Sequence, residues 1–334
     1  ISLAGENDAA LAALFSRLPF QVAYFNHASA QRAVDRLIRD HAPDHVLCQL
    51  VRTTELVRTH PTLPKTLDYM DTLSKGMERR TRNAPLYLRP ILQAETRRLI
   101  RYENLMFDLF DASVIISAQD REYLYHPLRD QVKVIPNGVD TEHFSPQENE
   151  KKYDLVFTGN MNYPPNIDSV IYLVHKVLPL VYAQRPATTL LISGVDPSAE
   201  VKDLARRDPR IVVSGWVKDI RNSYASARIF VAPMQIGTGL QNKLLEAMAM
   251  RIPCVTSALA NNAVQAAPGR SILLGRTPQE YATHILRLLD DHTERERLAE
   301  EGFRFVRNQF NWDHSANDLE RLLTLATTAR VAAP

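Results

Sequence analysis

The chain has 334 residues, of which 45% are hydrophobic and 23% charged, enough for two domains of ordinary soluble type. Its net charge of +2 is too small for a dedicated nucleic-acid binder. Its two cysteines, Cys48 and Cys254, sit in separate apolar runs without His or Cys neighbours at ligand spacing, so a disulfide framework and a metal site are not expected.

No apolar run approaches the roughly 20 residues of a membrane span, and no basic-then-apolar leader pattern is visible, so a cytoplasmic protein is expected. Residues 1–4 read as the end of a strand. Residues 8–16 have a helical pattern, 20–24 a strand pattern, and 30–40 an amphipathic helix with Val34, Leu37 and Ile38 on one face. Strands are expected over 45–50 and 65–70. A long segment over 86–110 follows, its stripe running from Leu88 to Leu109 with arginines off it. A strand over 112–117 and another over 132–135 lead into the tight turn Pro136-Asn137-Gly138. Residues 145–152, SPQENEKK, are polar and make the best linker in the chain.

The second half repeats the strand–helix rhythm more cleanly. Strands are expected over 154–157, 188–192, 211–214, 229–232, 254–256 and 271–274. Helices are expected over 166–181, 202–206, 220–227 and 240–250, and three more, over 278–290, 293–310 and 313–328, close the chain. Strands alternating with helices point to parallel sheets covered on both faces, hence an α/β protein of two Rossmann-like domains facing a cleft. Ligands of such sheets bind beyond the carboxyl ends of the strands, where Gly159, Gly194, Gly215 and Gly237 fall.

The stretch 230–257 draws these threads together. A short apolar strand runs into Gly237-Thr238-Gly239, then into a helix with Leu240, Leu244 and Met248 in register. A glycine turn feeding a helix offers unpaired N–H groups and the positive end of the helix dipole, which suits a phosphate. Glu246 is the only acid in the stretch. A plain tight turn is the competing reading, because Gly-x-Gly before a helix is common.

Several motifs together resemble the GT-B glycosyltransferases, specifically the retaining family-4 group. Residues 134–140, VIPNGVD, with Phe144 resemble the run at the end of that group's first domain. Phe157-Thr158-Gly159-Asn160-Met161 resembles the first loop of its second domain, and Gly215-Trp216-Val217-Lys218-Asp219 its base-recognition loop. The stretch 230–257 resembles its donor-binding helix, and Phe310-Asn311-Trp312 the start of its closing helix. Residues 67–71, Tyr102-Glu103 and 239–243 are most similar to sugar transferases of bacterial exopolysaccharide clusters.

The resemblance implies an acceptor-side domain over 1–145, whose first strand and glycine-rich loop would precede Ile1. It implies a nucleotide-sugar donor domain over 146–311, and a closing helix over 312–334 that packs back towards the first domain. The donor would be a nucleoside-diphosphate sugar used as co-substrate, with no other cofactor and no metal, and the acceptor a glycan or lipid-linked sugar. Glu246 would bind the ribose hydroxyls, a charge-assisted contact, or else form a salt bridge on a helix face. The Gly239 and Leu240 backbone would approach the diphosphate, with Gly237, Gln241, Gly159 and Asn160 also among the donor-binding residues. Lys243 would neutralise the leaving group or simply face water. Val217 and Lys218 would meet the base through backbone atoms.

Four residues depart from the family pattern. Thr238 stands where a first Glu faces the donor sugar, Pro164 and Pro165 stand near where a basic residue is usual, and Arg251 replaces a helix-ending glycine. A left-handed Arg251 would cost roughly 1 kcal/mol. Catalytic roles are expected of Thr238, Lys243 and Asp71. Asp68 and Asn137 are expected on the acceptor side of the cleft, although Asp71 also fits a helix cap or turn. Retaining transfer of this kind generally uses no protein nucleophile, in keeping with a sequence that shows no Ser/His/Asp or paired-carboxylate arrangement.

The region 75–101 is rich in arginine with Leu86, Tyr87 and Leu88 nearby. It reads either as a solvated helix face or as a peripheral contact with anionic lipid on the inner membrane face. A glycosyltransferase of exopolysaccharide or cell-surface glycan synthesis is therefore expected, with no nucleic acid partner. The alternatives are a GT-B-shaped binding protein without turnover and, more weakly, a sugar-nucleotide epimerase.

Overall fold

The computed structural model describes residues 18–236 and 239–332. The expected strand over 1–4 and helix over 8–16 lie outside those residues. The chain divides into two compact units, Ile1–Pro136 with Ser315–Pro334, and Asn137–His314. The polar stretch 145–152 lies inside the second unit and forms neither helix nor strand.

The first unit is built on a four-stranded parallel sheet in the order β1 (Val46–Gln49), β2 (Lys65–Asp68), β3 (Ala112–Ile115) and β4 (Lys133–Val134). Two helices, Leu73–Asn83 and Arg89–Leu109, cross from β2 to β3. The longer buries Leu99, Tyr102 and Met106 against Leu67, Tyr69 and Ile115. Its inward face also carries Glu103, whose carboxylate accepts the Ser74 N–H at 3.0 Å and so caps the shorter helix. Thr72 occupies the cap position of that helix, and Asp71 instead takes part in a turn through its N–H to the Tyr69 carbonyl. In this unit the closing helix, Trp312–Ala332, is tied down by Thr327 on His45 at 2.8 Å and by Arg330 on Asp111 at 3.1 Å.

The second unit holds a six-stranded parallel sheet in the order β10-β9-β8-β5-β6-β7. These strands are β5 (Tyr153–Thr158), β6 (Leu190–Ser193), β7 (Ile211–Gly215), β8 (Ala227–Ala232), β9 (Cys254–Thr256) and β10 (Leu273–Leu274). The chain winds outward from β5 to β7, then returns to β8 beside β5 and winds outward the other way. That is the Rossmann strand order, with its reversal point between β5 and β8. Leu155, Val156, Phe157 and Ile229–Ala232 are buried on both sheet faces, as helices on both sides require.

Two expectations are corrected, and one helix appears where none was expected. Residues 20–24 are not a strand but the helix Phe20–Phe25. The Phe20 N–H, an orphan of the first turn, is accepted by Glu95 at 2.7 Å, so a distant side chain decides what the alternating pattern left ambiguous. The helix expected over 166–181 is broken into Pro164–Tyr172, a wide π turn over Leu173–Val177, and Leu178–Tyr182. Pro179 has no N–H to give to the preceding turn, which accounts for the local widening. Residues 258–264 form an unexpected helix, Ala258–Val264, capped by Ser257 and closed by Asn261 hydrogen bonds to and from Ala266. Among the described residues no helix is long and apolar enough to cross a membrane.

Candidate functional site

A pocket of about 540 Å³ opens at the carboxyl ends of β5, β6 and β7, next to the reversal point. Its floor is backbone. The Gly159 N–H donates to Ser193 at 3.0 Å and the Gly194 N–H to Gly215 at 3.1 Å, so three loops run edge to edge below the opening. Gly194 has φ +143°, and a Cβ there would lie 1.8 Å from the Gly159 carbonyl oxygen. Only glycine allows that approach. Trp216, 70% exposed, and Val217 line one side of the pocket, and residues 240–243 line the other.

Two helices begin at the pocket, and their chemistry differs. Pro164–Tyr172 starts with two prolines, which remove two of its unpaired N–H groups. Asn242–Ala249 starts without proline, and no acid in its first turn offsets the positive end of the dipole. The anion-accepting end is therefore that of Asn242–Ala249.

Lys243 and Glu246 project from this helix. The Lys243 ammonium donates to Asn166 Oδ1 and lies 4.6 Å from the centre of the Phe157 ring. Asn166 is itself held by donating to the Asn160 carbonyl at 2.8 Å. Burial brings the Lys243 pKa down to about 8, against the opposing pull of Glu246. Burial raises the pKa of Glu246, while the Tyr224 hydrogen bond and Lys243 pull it back. The fully buried Tyr224 hydroxyl donates to Glu246 Oε2 at 2.7 Å and lies 2.7 Å from Thr158 Oγ1, which can donate to it in turn. Among the described residues Oε1 has no protein donor. Thr158, Tyr224 and Glu246 thus form a chain of hydroxyls that fixes the carboxylate and leaves one oxygen for the pocket.

Residues 152–291, which include all the pocket-lining residues, match the family described as "Glycosyl transferases group 1". The chain is 22% identical over 172 residues to an "Uncharacterized 44.6 kDa protein in cps region" of Klebsiella pneumoniae, covering 48% of this chain and 44% of that one. It is 27% identical over 212 residues to the MMP alpha-(1->4)-mannosyltransferase of Mycolicibacterium hassiacum, covering 61% and 50%. It spans about half the length of the curated relatives it matches. Sucrose-phosphate synthase from Thermosynechococcus elongatus superposes with TM-score 0.71 at 18% identity over 90% of this chain and 77% of that one. HepE of Anabaena, in complex with UDP and glucose, does so with TM-score 0.69 at 14% identity over 90% and 83%. At such identities the likeness establishes the fold, which is GT-B.

Within residues 152–291 the pocket brings together Gly159, Asn160, Val217, Leu240, Gln241, Lys243 and Glu246, all named from the sequence. Gly239, at φ +79°, adjoins it in the chain, while Gly237 and Thr238 lie outside the described residues. Lys218 lines a separate depression with Asp219 and Ser223. Asp68, Asp71 and Asn137 are not among the pocket-lining residues. Asp68 ends β2, where burial raises its pKa and its side chain accepts the Met70 N–H at 2.9 Å. Sequence reasoning missed Tyr224, Thr158, Asn166 and the lining role of Trp216. A lone tyrosine in the otherwise small and polar run Asn222-Ser223-Tyr224-Ala225-Ser226 was the one available signal. Among the described residues no group of three or more His, Cys, Asp or Glu side chains could hold a metal ion.

Proposed function

We propose that this protein transfers a sugar from a nucleoside-diphosphate sugar to a hydroxyl of a glycan or lipid-linked acceptor, retaining the anomeric configuration. The observation that carries the reading is Glu246, fixed by Tyr224 with one oxygen unclaimed, one turn beyond a helix start suited to an anion. A ribose diol donates two hydrogen bonds to such a carboxylate, and the diphosphate then falls beside the Asn242–Ala249 helix start and Lys243. The base lies against Val217 and Trp216.

In the transfer, the bond from C1 of the sugar to the terminal phosphate oxygen breaks. The nucleoside diphosphate leaves with the electron pair, and the acceptor oxygen bonds to C1 on the same face. The acceptor proton passes to the departing phosphate oxygen. Lys243 steadies the charge that develops there. We further propose a hexosyltransferase acting on the cytoplasmic side in bacterial exopolysaccharide or cell-surface glycan synthesis, a setting supported by the relative from the cps region.

A thermal-shift series with UDP, GDP and ADP tests the reading, UDP first because HepE is complexed with it. A nucleotide at about 100 times its Kd adds roughly 2.7 kcal/mol of stability. Silence from all three would overturn the donor site. A shift without transfer to any acceptor would leave a binding protein. The anomeric coupling of the product, read by NMR, decides retention.

A further inference from the structure

Charge is distributed unevenly along the chain. Between Lys75 and Arg101 lie eight Lys and Arg against two Glu, so this stretch is more positive than the whole chain at +2, and the remainder is net negative. Residues 84–88 join the helices Leu73–Asn83 and Arg89–Leu109, with Pro85 within the turn and Pro90 just after it. Arg89 stiffens this turn by donating to the carbonyls of Ala84 at 3.0 Å and Arg82 at 3.2 Å. At its tip Leu86 is 77% exposed and Tyr87 76%, and Ile91 beside them is 55% exposed.

Against the described residues of this unit, the stiffened turn holds two large apolar side chains in water rather than in a core. Further along the two helices Arg80, Arg97 and Arg101 are all exposed and without an acidic partner among the described residues. Solvated helix faces ordinarily pair such charges at i,i+3 or i,i+4, as Lys75 and Arg82 do here with Glu78.

We propose that this surface docks the protein on an anionic bilayer, with Leu86 and Tyr87 entering the headgroup region and the unpaired arginines lying against anionic lipid. Leucine suits the acyl boundary and tyrosine the interface, while arginines can extend outward to the phosphates. The excess charge favours a lipid surface over a second copy of the chain, which would bring the same arginines together. The inference uses none of the donor-site residues and stands apart from the proposed activity.

The test is flotation of the full chain with vesicles of phosphatidylcholine alone, and of phosphatidylcholine containing roughly one-third phosphatidylglycerol. Recovery is expected only with the anionic vesicles and falls as salt rises. The pair Arg97→Gln and Arg101→Gln should lower partitioning about 25-fold, about fivefold for each charge. The pair Leu86→Ser and Tyr87→Ser should lower it at least about tenfold. Neither pair should change the melting temperature or a nucleotide-induced shift, so failure here is separable from failure of the donor site. Equal recovery with both lipids, or variants that float like the parent chain, would overturn the proposal. So would a lipid-free dimer that the Leu86 and Tyr87 substitutions dissolve, because the occupant would then be a second copy.

Discussion

Lys243 is a cation drawn out of water towards an amide oxygen and an aromatic face, and its depressed pKa measures the cost of holding it there. Between about pH 8 and the ordinary lysine range the unfolded chain binds the extra proton and the folded chain does not. Stability therefore rises with pH through that window, and the cost is fully present below it. Lys243→Met should accordingly stabilise the free protein at pH 7, by about 1–3 kcal/mol. It should also weaken nucleotide binding at least tenfold, and melting curves with and without nucleotide read both effects. In the parent protein nucleotide affinity should fall as pH rises through about 8, where the ammonium is lost. Tyr224→Phe makes a complementary case. It removes a hydrogen bond worth about 1 kcal/mol and one of the two contacts that hold the Glu246 pKa down. Affinity should drop about threefold to tenfold, and the acid limb of the binding profile should move to higher pH. An unmoved limb would show that Tyr224 packs beside Glu246 without tuning it.

At the scale of elements, the helix Asn242–Ala249 ends in a Schellman arrangement. The Ile252 N–H bonds to Ala247 at 2.9 Å and the Arg251 N–H to Met248 at 3.0 Å, with Arg251 left-handed at φ +52°. Glycine there would relieve about 1 kcal/mol. Arg251 offsets the strain by lying 4.4 Å from the centre of the Phe303 ring and 3.3 Å from Glu300, contacts worth about 0.5–1 kcal/mol together. Arg251→Gly should therefore fall within about 0.5 kcal/mol of the parent, whereas Arg251→Ala keeps the strain, loses the contacts and should be destabilising, as denaturant midpoints will show. The left-handed residue was legible through the resemblance, because Arg251 stands where the family pattern puts a helix-ending glycine. The strands of the second half were legible for a different reason: a parallel strand buried on both faces is continuously apolar, as in Leu155-Val156-Phe157. Phe20–Phe25 was not legible, because its first N–H is satisfied by Glu95, a residue 75 positions away. Tyr224 was hidden in the same way, since the lone tyrosine of residues 222–226 stands out but does not announce its partner, Glu246.

For the whole molecule, the two units own separate hydrophobic cores, one drawn from Val22 to Val132 and the other from Val139 to Phe310. The glycine-floored pocket is lined entirely by the second unit, and the basic, apolar turn belongs to the first. The order of the motifs made the two-unit fold readable, and the strand–helix alternation placed Gly159, Gly194 and Gly215 together at the strand ends; what it did not reveal is that their loops touch edge to edge through backbone hydrogen bonds. Gly194→Ala tests that meeting. The new Cβ would collide with the Gly159 carbonyl unless one of the strand ends moved. A loss of about 3 kcal/mol or more is expected in the second unit, with loss of the nucleotide response. Calorimetry can localise it, because chains with separate cores and more than one domain are not bound to unfold in one step. Two transitions are expected. Leu99→Ala should lower one and Leu204→Ala the other, since each removes a buried side chain from a different core. Saturating nucleotide should raise only the Leu204 transition, by about 5–10 °C for a unit of this size, and Gly194→Ala should lower that same transition. If every substitution moved a single common transition, the two cores would be unfolding as one cooperative block, and the stability of the pocket would depend on residues of the first unit as much as on its own.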